Sequence, residues 1–298
     1  MLTSRQLSGV FAASPTLLRS DASIDAVANG QLFDYLIGQG IAGLVPLGGT
    51  GEYGSMSAAE RNRDAQRVVD HVNGRVPVIP GILSPGYGDA LEALEAYGSI
   101  GADAAMVVTP YYTNPTQKGL QEYFTALADH SPLPILLYDI PYRTRIALSP
   151  EVIGELSRHE KIIGMKACNL DMYAFLKTMS LVDEDFSVLS GEDTLFPVHA
   201  ASGARGGVLA TASIMPKPWR EILDLVNGGE LKQALARHRK LIPLIDLFFE
   251  ETNPGPMKSI LDLIGIDAPG VYTPLQLPAT DLRERLRTAL APVLKTVG

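Results

Sequence analysis

Short runs of hydrophobic, often β-branched residues alternate along the chain with longer stretches whose apolar residues recur at helical spacing. This alternation is typical of repeated βα units that build a parallel sheet. The apolar runs predict eight strands, at residues 9–13, 43–47, 76–81, 104–109, 135–138, 162–166, 186–189 and 207–211. Because a helical stretch follows each run, the pattern indicates eight consecutive βα units.

Two helix starts carry clear local signals. Ser57 is followed three residues later by Glu60, which predicts a capping box. Ser149 precedes Pro150, which predicts a cap followed by proline in the first turn of a helix. The boundaries between apolar runs and helical stretches therefore fall where local chemistry favours them.

Eight such units within about 225 residues match the usual size of a closed (β/α)8 barrel. A doubly wound open sheet would show the same alternation and remains the alternative. From Glu230 onward the pattern predicts about three further helices. We therefore predict an α/β fold in which a (β/α)8 TIM barrel catalytic domain, residues 1–228, carries a C-terminal helical extension packed on the barrel, residues 229–298.

Composition narrows the class of protein. The 298 residues are 46% hydrophobic and 19% charged, enough apolar material for a large core. A formal net charge of −8 argues against a nucleic-acid or anionic-membrane partner, since both favour clustered Lys and Arg. No apolar run approaches the roughly 20 residues that span a bilayer. The single cysteine, Cys168, and the lack of a charged-then-apolar leader predict a cytoplasmic protein.

Candidate chemistry lies where the apolar runs end, because barrel enzymes react at the carboxyl ends of their strands. The sixth run ends in Lys166, whose ammonium form would lose hydration inside a mostly apolar barrel. A neutral amine there is suited to nucleophilic attack on a ketone. The alternative is that Lys166 starts a loop and points to water.

The neighbouring fifth run ends in Tyr138, whose phenol is suited to proton transfer. A tyrosine at such a position is about as often a core residue with a hydrogen-bonded hydroxyl. Arg143 follows two residues after Pro141, at the rim of the predicted barrel mouth, where a guanidinium is suited to binding a carboxylate. The alternative is a solvated loop arginine. After the second run, the glycines around Thr50 allow backbone amides to approach an anion closely. This loop lacks the spacing of a dinucleotide site and the lysine of a phosphate-binding P-loop.

Taken together, these segments resemble the dihydrodipicolinate synthase and N-acetylneuraminate lyase family of (β/α)8 barrels, which form a Schiff base with pyruvate. The match runs over nearly the whole chain. The stretches that carry it are GGTGE at 48–52, TPYYTNPTQ at 109–117, YDIPYRT at 138–144, GMKACNLD at 164–171, SGED at 190–193 and NPGPMK at 253–258.

The resemblance implies a role for each matched residue. Lys166 would be the Schiff-base lysine and Tyr138 the proton-relaying tyrosine, while Gly49 and Thr50 would hold the pyruvate carboxylate. Arg143 and Leu209 would also contact substrate. Tyr112 would be lent across a subunit interface, which implies a homotetramer built as a dimer of dimers.

Two positions depart from the family pattern. Gly49 stands where relatives usually carry a hydroxyl that links two tyrosines, and Cys168 stands where sugar-acid aldolases often carry a hydroxyl. The leading interpretation is a 4-hydroxy-tetrahydrodipicolinate synthase-like lyase acting on pyruvate, or another 2-oxo acid, and an aldehyde. The alternatives are an aldolase or dehydratase acting on a 2-keto-3-deoxy sugar acid through the same lysine, and a non-catalytic barrel that binds a small acid.

A metal-dependent aldolase is disfavoured by the sequence. The five histidines, at positions 71, 130, 159, 199 and 238, are scattered, with no helical pair or carboxylate triad at ligand spacing. The sequence therefore implies no cofactor and no metal.

Overall fold

The computed structural model describes residues 2–268 and 270–295. Its strands are β1 (Gly9–Ala12), β2 (Gly43–Leu44), β3 (Gly81–Ile82), β4 (Ala105–Val108), β5 (Ile135–Asp139), β6 (Ile162–Ala167), β7 (Ser187–Ser190) and β8 (Gly206–Leu209). The first nine helices are α1 (Ala26–Gly38), α2 (Ala58–Val72), α3 (Tyr87–Ser99), α4 (Gln117–His130), α5 (Pro141–Thr144), α6 (Pro150–Leu156), α7 (Met172–Leu181), α8 (Phe196–Ala201) and α9 (Pro216–Asn227).

The strands pair in parallel in the order β2-β1-β8-β7-β6-β5-β4-β3. The two ends of this series are joined by hydrogen bonds from Leu44 N to Pro77 O and from Ile79 N to Leu44 O, both 2.9 Å. The sheet therefore curls round onto itself as a barrel. The predicted barrel is confirmed and the open-sheet alternative is wrong.

The second and third strands are shorter than the apolar runs predict. The run at 76–81 contains Pro77 and Pro80, which have no N–H to donate to a ladder. Its regular strand is therefore confined to Gly81–Ile82, with one isolated bridge from Val78 to Leu44. In the run at 43–47, Pro46 has the same effect, and the strand ends at Leu44.

Both local helix signals are confirmed. Ser57 Oγ accepts a hydrogen bond from Glu60 N, and the Glu60 carboxylate accepts one from Ser57 N, so the capping box is complete. Ser149 caps α6 by accepting from Val152 N, with Pro150 in the first turn. These side chains satisfy backbone N–H groups that have no partner within the helix.

The register of β5 and β6 contains a one-residue shift. Ile135 pairs with Ile162, but Leu136 pairs with Gly164, so β6 carries one extra residue at this point. From there Tyr138 pairs with Lys166. Because strand side chains alternate between the two faces of a sheet, this shift decides which residues of β6 point into the barrel.

The C-terminal extension consists of α10 (Leu231–Phe249), α11 (Gly255–Lys258) and α12 (Thr280–Lys295). Its apolar residues share one core cluster with the barrel helices, in which Leu241, Phe248 and Leu286 join Trp219 of α9. The three predicted helices are therefore present and pack on the barrel. Among the described helices, none is both long and apolar enough to cross a membrane.

Asp139, at the end of β5, generates a prediction about stability. Burial raises the pKa of its carboxyl group to about 7, although Leu148 N donates to Oδ1 at 3.0 Å. Because the folded state binds this proton more tightly than the unfolded chain, the residue's contribution to stability declines as the pH rises from about 4 to about 7.

The Asp139→Asn variant keeps an acceptor for Leu148 N and removes the titration. We expect the variant to gain stability relative to the wild type as the pH rises, so that the difference in free energy of unfolding (variant minus wild type) is about 2 kcal/mol larger near pH 8 than near pH 5. Urea denaturation at both pH values measures this difference. The control is Asp185→Asn, since Asp185 is solvent-exposed, is paired with Arg5 and has its pKa lowered. An equal gain in the control would contradict the prediction.

Candidate active site

A cavity of about 440 Å³ opens at the carboxyl ends of the strands. Its floor is the packed barrel interior, where Phe11, Leu136 and Val208 belong to one buried cluster. The polar and charged residues that matter for chemistry in its wall are Thr50, Tyr138, Arg143, Lys166, Glu192 and Asn253. The cavity therefore brings together groups from the barrel strands, their loops and the extension.

Lys166 lies at the base of this cavity and is 7% exposed. Its Nζ is 4.7 Å from the centroid of the Tyr138 ring, as expected from their pairing across β5 and β6. Gly191 packs over the stem of the lysine, because a Cβ at this glycine would lie 2.9 Å from both Cγ and Cε of Lys166. The amine is thus held in place by a strand, a ring and a close glycine.

Tyr138 and Cys168 are fully enclosed neighbours of the lysine. Burial raises the pKa of the Tyr138 phenol well above its usual value, and the nearby Cys168 adds to the effect. Burial also raises the pKa of the Cys168 thiol, whose Sγ donates to Gly191 O at 3.3 Å. Both groups are therefore protonated at neutral pH, and the phenol is able to donate a proton.

Glu192 follows β7 and lines the same cavity. Burial raises the pKa of its side chain to about 7, and the charge of Asp193 adds to the rise. Its Oε1 is buried without a hydrogen-bond partner in the described part of the chain. Such an oxygen is available to a ligand that carries a hydrogen-bond donor.

The glycine loop after β2 is strained at two positions. Leu47 and Glu52 have φ angles of 58° and 56°, in the left-handed region that costs a residue with a side chain about 1 kcal/mol or more. Thr16 Oγ1 donates to Gly51 O at 3.0 Å and helps to hold the loop. At Gly49 an added Cβ would have no neighbour within 4 Å, so this position faces open space in the cavity.

Comparison with known proteins agrees with this geometry. The sequence profile of the Dihydrodipicolinate synthetase family matches residues 6–296. The chain belongs to this family. A 4-hydroxy-tetrahydrodipicolinate synthase of Syntrophus aciditrophicus is 35% identical over 270 residues, which cover 91% of this chain and 93% of the relative.

Solved structures of the family superpose closely. A dihydrodipicolinate synthase from Thermotoga maritima has a TM-score of 0.93 and 30% identity, with 97% of this chain and 99% of that chain covered. The enzyme from Acinetobacter baumannii, solved as a complex with pyruvate, has a TM-score of 0.92 and 31% identity, with 96% and 99% covered. The protein is thus a lyase of the class I aldolase type.

The structure brings together five of the residues that sequence reasoning assigned to the family's site. Lys166 and Tyr138 meet at the base of the cavity, and Gly49, Thr50 and Arg143 line its wall. Arg143 is carried by α5, which begins at Pro141 and immediately follows β5. Their roles in catalysis remain predictions, but their common location is what those roles require.

Two predicted residues lie elsewhere. The Leu209 side chain packs in the cluster between the sheet and its helices, and the next residue, Ala210, lines the cavity instead. The side chain of Leu209 faces away from the cavity, because alternate residues of β8 face opposite sides of the sheet. Its contact with substrate stays a prediction. Tyr112 is 91% exposed and has a φ of 75°, outside the cavity of its own chain. Its role across a subunit interface stays a prediction.

Sequence reasoning missed two contributions to the site. Glu192 lies in the SGED stretch, and the sequence signal for its role is its place just after the seventh strand, at the barrel mouth. The extension is expected from its apolar pattern to pack on the barrel, yet its residues Ile245, Asp246, Phe249 and Asn253 also line the cavity. The NPGPMK stretch was the available signal for the second contribution.

The described histidines and acidic residues form no group of three or more that would hold a metal ion. His199 is a structural residue, since its Nδ1 is 2.8 Å from Ser190 Oγ and its ring stacks on Phe175. His238 packs beside Trp219 and donates through Nε2 to Asp193 O at 2.9 Å. These two rings therefore fix the loop behind the cavity.

The contrast between two glycines generates a prediction. In Gly191→Ala the new Cβ would lie 2.1 Å from Cys168 Sγ, whereas Gly49→Ala meets open space. We expect Gly191→Ala to lower the free energy of unfolding by about 1 to 3 kcal/mol through overpacking. Thermal unfolding should show a melting temperature lower by several degrees for Gly191→Ala and nearly unchanged for Gly49→Ala. Equal melting temperatures would contradict the prediction, because they would show that the side chains of Lys166 and Cys168 move aside at little cost in free energy.

Proposed function

We propose that the protein joins pyruvate to an aldehyde through a Schiff base at Lys166, as a 4-hydroxy-tetrahydrodipicolinate synthase-like enzyme. The observation that carries the proposal is the buried Nζ of Lys166 at the base of a cavity, 4.7 Å from the Tyr138 ring. The relative from Syntrophus aciditrophicus and the pyruvate complex of the Acinetobacter baumannii enzyme support the choice of substrate.

In the first step the Lys166 amine attacks the ketone carbon of pyruvate and forms a carbinolamine. Tyr138 donates a proton to the departing hydroxyl, which leaves as water, and an iminium remains. Loss of a proton from the methyl carbon gives an enamine, whose carbon attacks the aldehyde. Hydrolysis of the product imine returns the free amine, so no external oxidant, reductant or cofactor is consumed.

The pyruvate carboxylate is held in this proposal by the glycine loop. Backbone N–H groups near Gly49 and the Thr50 hydroxyl act as donors, a favourable arrangement for an anion. Arg143, at the rim of the cavity, pairs with a carboxylate of the incoming aldehyde. Glu192 accepts from a donor on the same partner through its unpaired Oε1.

Assembly and location complete the proposal. Tyr112 reaches the site of a neighbouring subunit in a homotetramer, which accounts for its exposure and its left-handed backbone. The enzyme works in the cytoplasm on small molecules, with no nucleic-acid or membrane partner. Sedimentation of the purified protein measures the assembly, and a monomer at micromolar concentration would contradict it.

A second candidate is an aldolase or dehydratase acting on a 2-keto-3-deoxy sugar acid. The observation that favours it is Gly49: the hydroxyl that family members usually carry at this position is missing beside the open space of the cavity, which counts against efficient synthase activity. Incubation with pyruvate plus an aldehyde panel, and with each keto-deoxy acid alone, separates the two functions by their products.

The role of Lys166 gives a direct test. We expect borohydride with pyruvate to label Lys166 in the wild type and to leave Lys166→Ala unlabelled and inactive, with peptide mass analysis as the measurement. The matched control is Lys161→Ala, just before the same strand, whose Nζ donates to Ser131 O at 2.8 Å. A wild type that stays unlabelled would point to the non-catalytic barrel.

Tyr138→Phe should slow turnover by about a hundredfold, the scale of acid-base assistance.

The Gly49 position gives a second test. Gly49→Thr restores a hydroxyl in space that its Cβ is free to occupy. If the protein is a synthase whose proton transfer is slowed by the missing hydroxyl at position 49, kcat for the condensation should rise by about tenfold in Gly49→Thr. Gly49→Ala, which adds no hydroxyl, should stay at the wild-type value. Steady-state kinetics with pyruvate and the preferred aldehyde provide the measurement. An unchanged or lower kcat for Gly49→Thr would favour the sugar-acid function.

A further inference from the structure

The NPGPMK stretch lies just after α10, yet it contacts the glycine loop some two hundred positions earlier in the chain. Asn253 Nδ2 donates to Thr50 Oγ1 at 2.8 Å, across a separation of 203 residues. Lys258 Nζ forms an ion pair with Glu52, across 206 residues. The NPGPMK stretch therefore contacts the glycine loop through its first and last residues.

The Lys258–Glu52 pair anchors the loop. Both side chains are fully buried. Lys258 also donates to Gly270 O at 3.0 Å, and the second carboxylate oxygen of Glu52 accepts from Tyr272 N at 2.7 Å. Burial lowers the pKa of Lys258, which the charge of Glu52 opposes. Because each charge depends on the other for compensation, the loop residue Glu52 is fixed against the extension.

The hydrogen bond from Asn253 decides how the Thr50 hydroxyl is used. A hydroxyl has one proton to donate and two lone pairs that accept. Oγ1 already accepts from Asn253, and in the described part of the chain the Thr50 hydroxyl has no acceptor for its own proton. Thr50 is 6% exposed and lines the cavity. Its proton is therefore available to an acceptor inside the cavity.

We propose that Asn253 is a positioning residue for the 2-oxo acid: it keeps the Thr50 hydroxyl as a hydrogen-bond donor toward the substrate carboxylate. This inference rests on the proposed function, since the carboxylate is that of pyruvate. Asn253 acts through Thr50, and the Lys258–Glu52 pair holds the loop in the position where the two residues meet. The extension is then part of substrate recognition.

Two substitutions of Asn253 separate this role from simple packing. In Asn253→Ala the hydroxyl is free to rotate, whereas in Asn253→Asp the new carboxylate accepts the Thr50 proton and repels the substrate anion. We expect the half-saturating pyruvate concentration for borohydride labelling of Lys166 to rise about threefold in Asn253→Ala and about thirtyfold or more in Asn253→Asp. A purely structural role predicts the reverse order, because Asp has the shape of Asn.

A neutral ligand supplies the control. Pyruvamide keeps the ketone of pyruvate and lacks its charge, so the repulsion of an anion is absent. The half-saturating pyruvamide concentration should differ by less than about threefold between Asn253→Ala and Asn253→Asp. Melting temperatures of both variants check that the fold is retained.

A double-mutant cycle keeps the inference testable if Asn253→Asp fails to fold. Because Asn253 acts through the Thr50 hydroxyl, adding Asn253→Ala to Thr50→Val should change the half-saturating pyruvate concentration no further than Thr50→Val alone. Additive effects, or an Asn253→Asp variant that binds pyruvate as well as Asn253→Ala, would overturn the role of Asn253. An unlabelled wild type would instead overturn the proposed function.

Discussion

A one-residue shift in the pairing of β5 with β6 is the constraint on which the site depends. Before the shift Ile135 pairs with Ile162, and after it Tyr138 pairs with Lys166. With the earlier register continued, Tyr138 would pair with Met165, whose side chain packs in the outer cluster against the helices. The extra residue therefore places an amine, rather than a thioether, beside the inward-facing phenol.

The second requirement is a glycine loop held in a conformation that its own sequence does not favour. Two of its residues, Leu47 and Glu52, have left-handed backbone angles. What compensates for this strain comes from distant parts of the chain, chiefly Lys258 and the Tyr272 backbone. The extension is thus a structural condition for the site, as well as one wall of its cavity. Strained backbone that the surrounding structure holds in place is common at active sites and ligand-binding sites.

The cavity also shows how burial assigns protonation states to neighbouring groups. Burial is the main cause that raises the pKa of the phenol, the thiol and the Glu192 carboxyl group around Lys166, because each would have to carry its charge away from water. Tyr138 and Cys168 stay protonated as a result, while Glu192 has a pKa near neutrality. The site therefore holds a proton donor and a titrating carboxyl group close to one amine, which suits the repeated proton transfers of imine chemistry.

The sequence by itself determined the eight βα units, the capped helix starts and the placement of Tyr138 and Lys166 within one residue of the ends of the fifth and sixth strands. These features follow from side-chain alternation, helical spacing and capping chemistry, which act between neighbours in the chain. The tertiary structure alone decided the shortened strands, the side of the sheet that Leu209 faces, the exposure of Tyr112 and the contacts of Asn253 and Lys258 with the glycine loop. Those depend on barrel closure and on register between strands, which bring together residues that no local pattern relates.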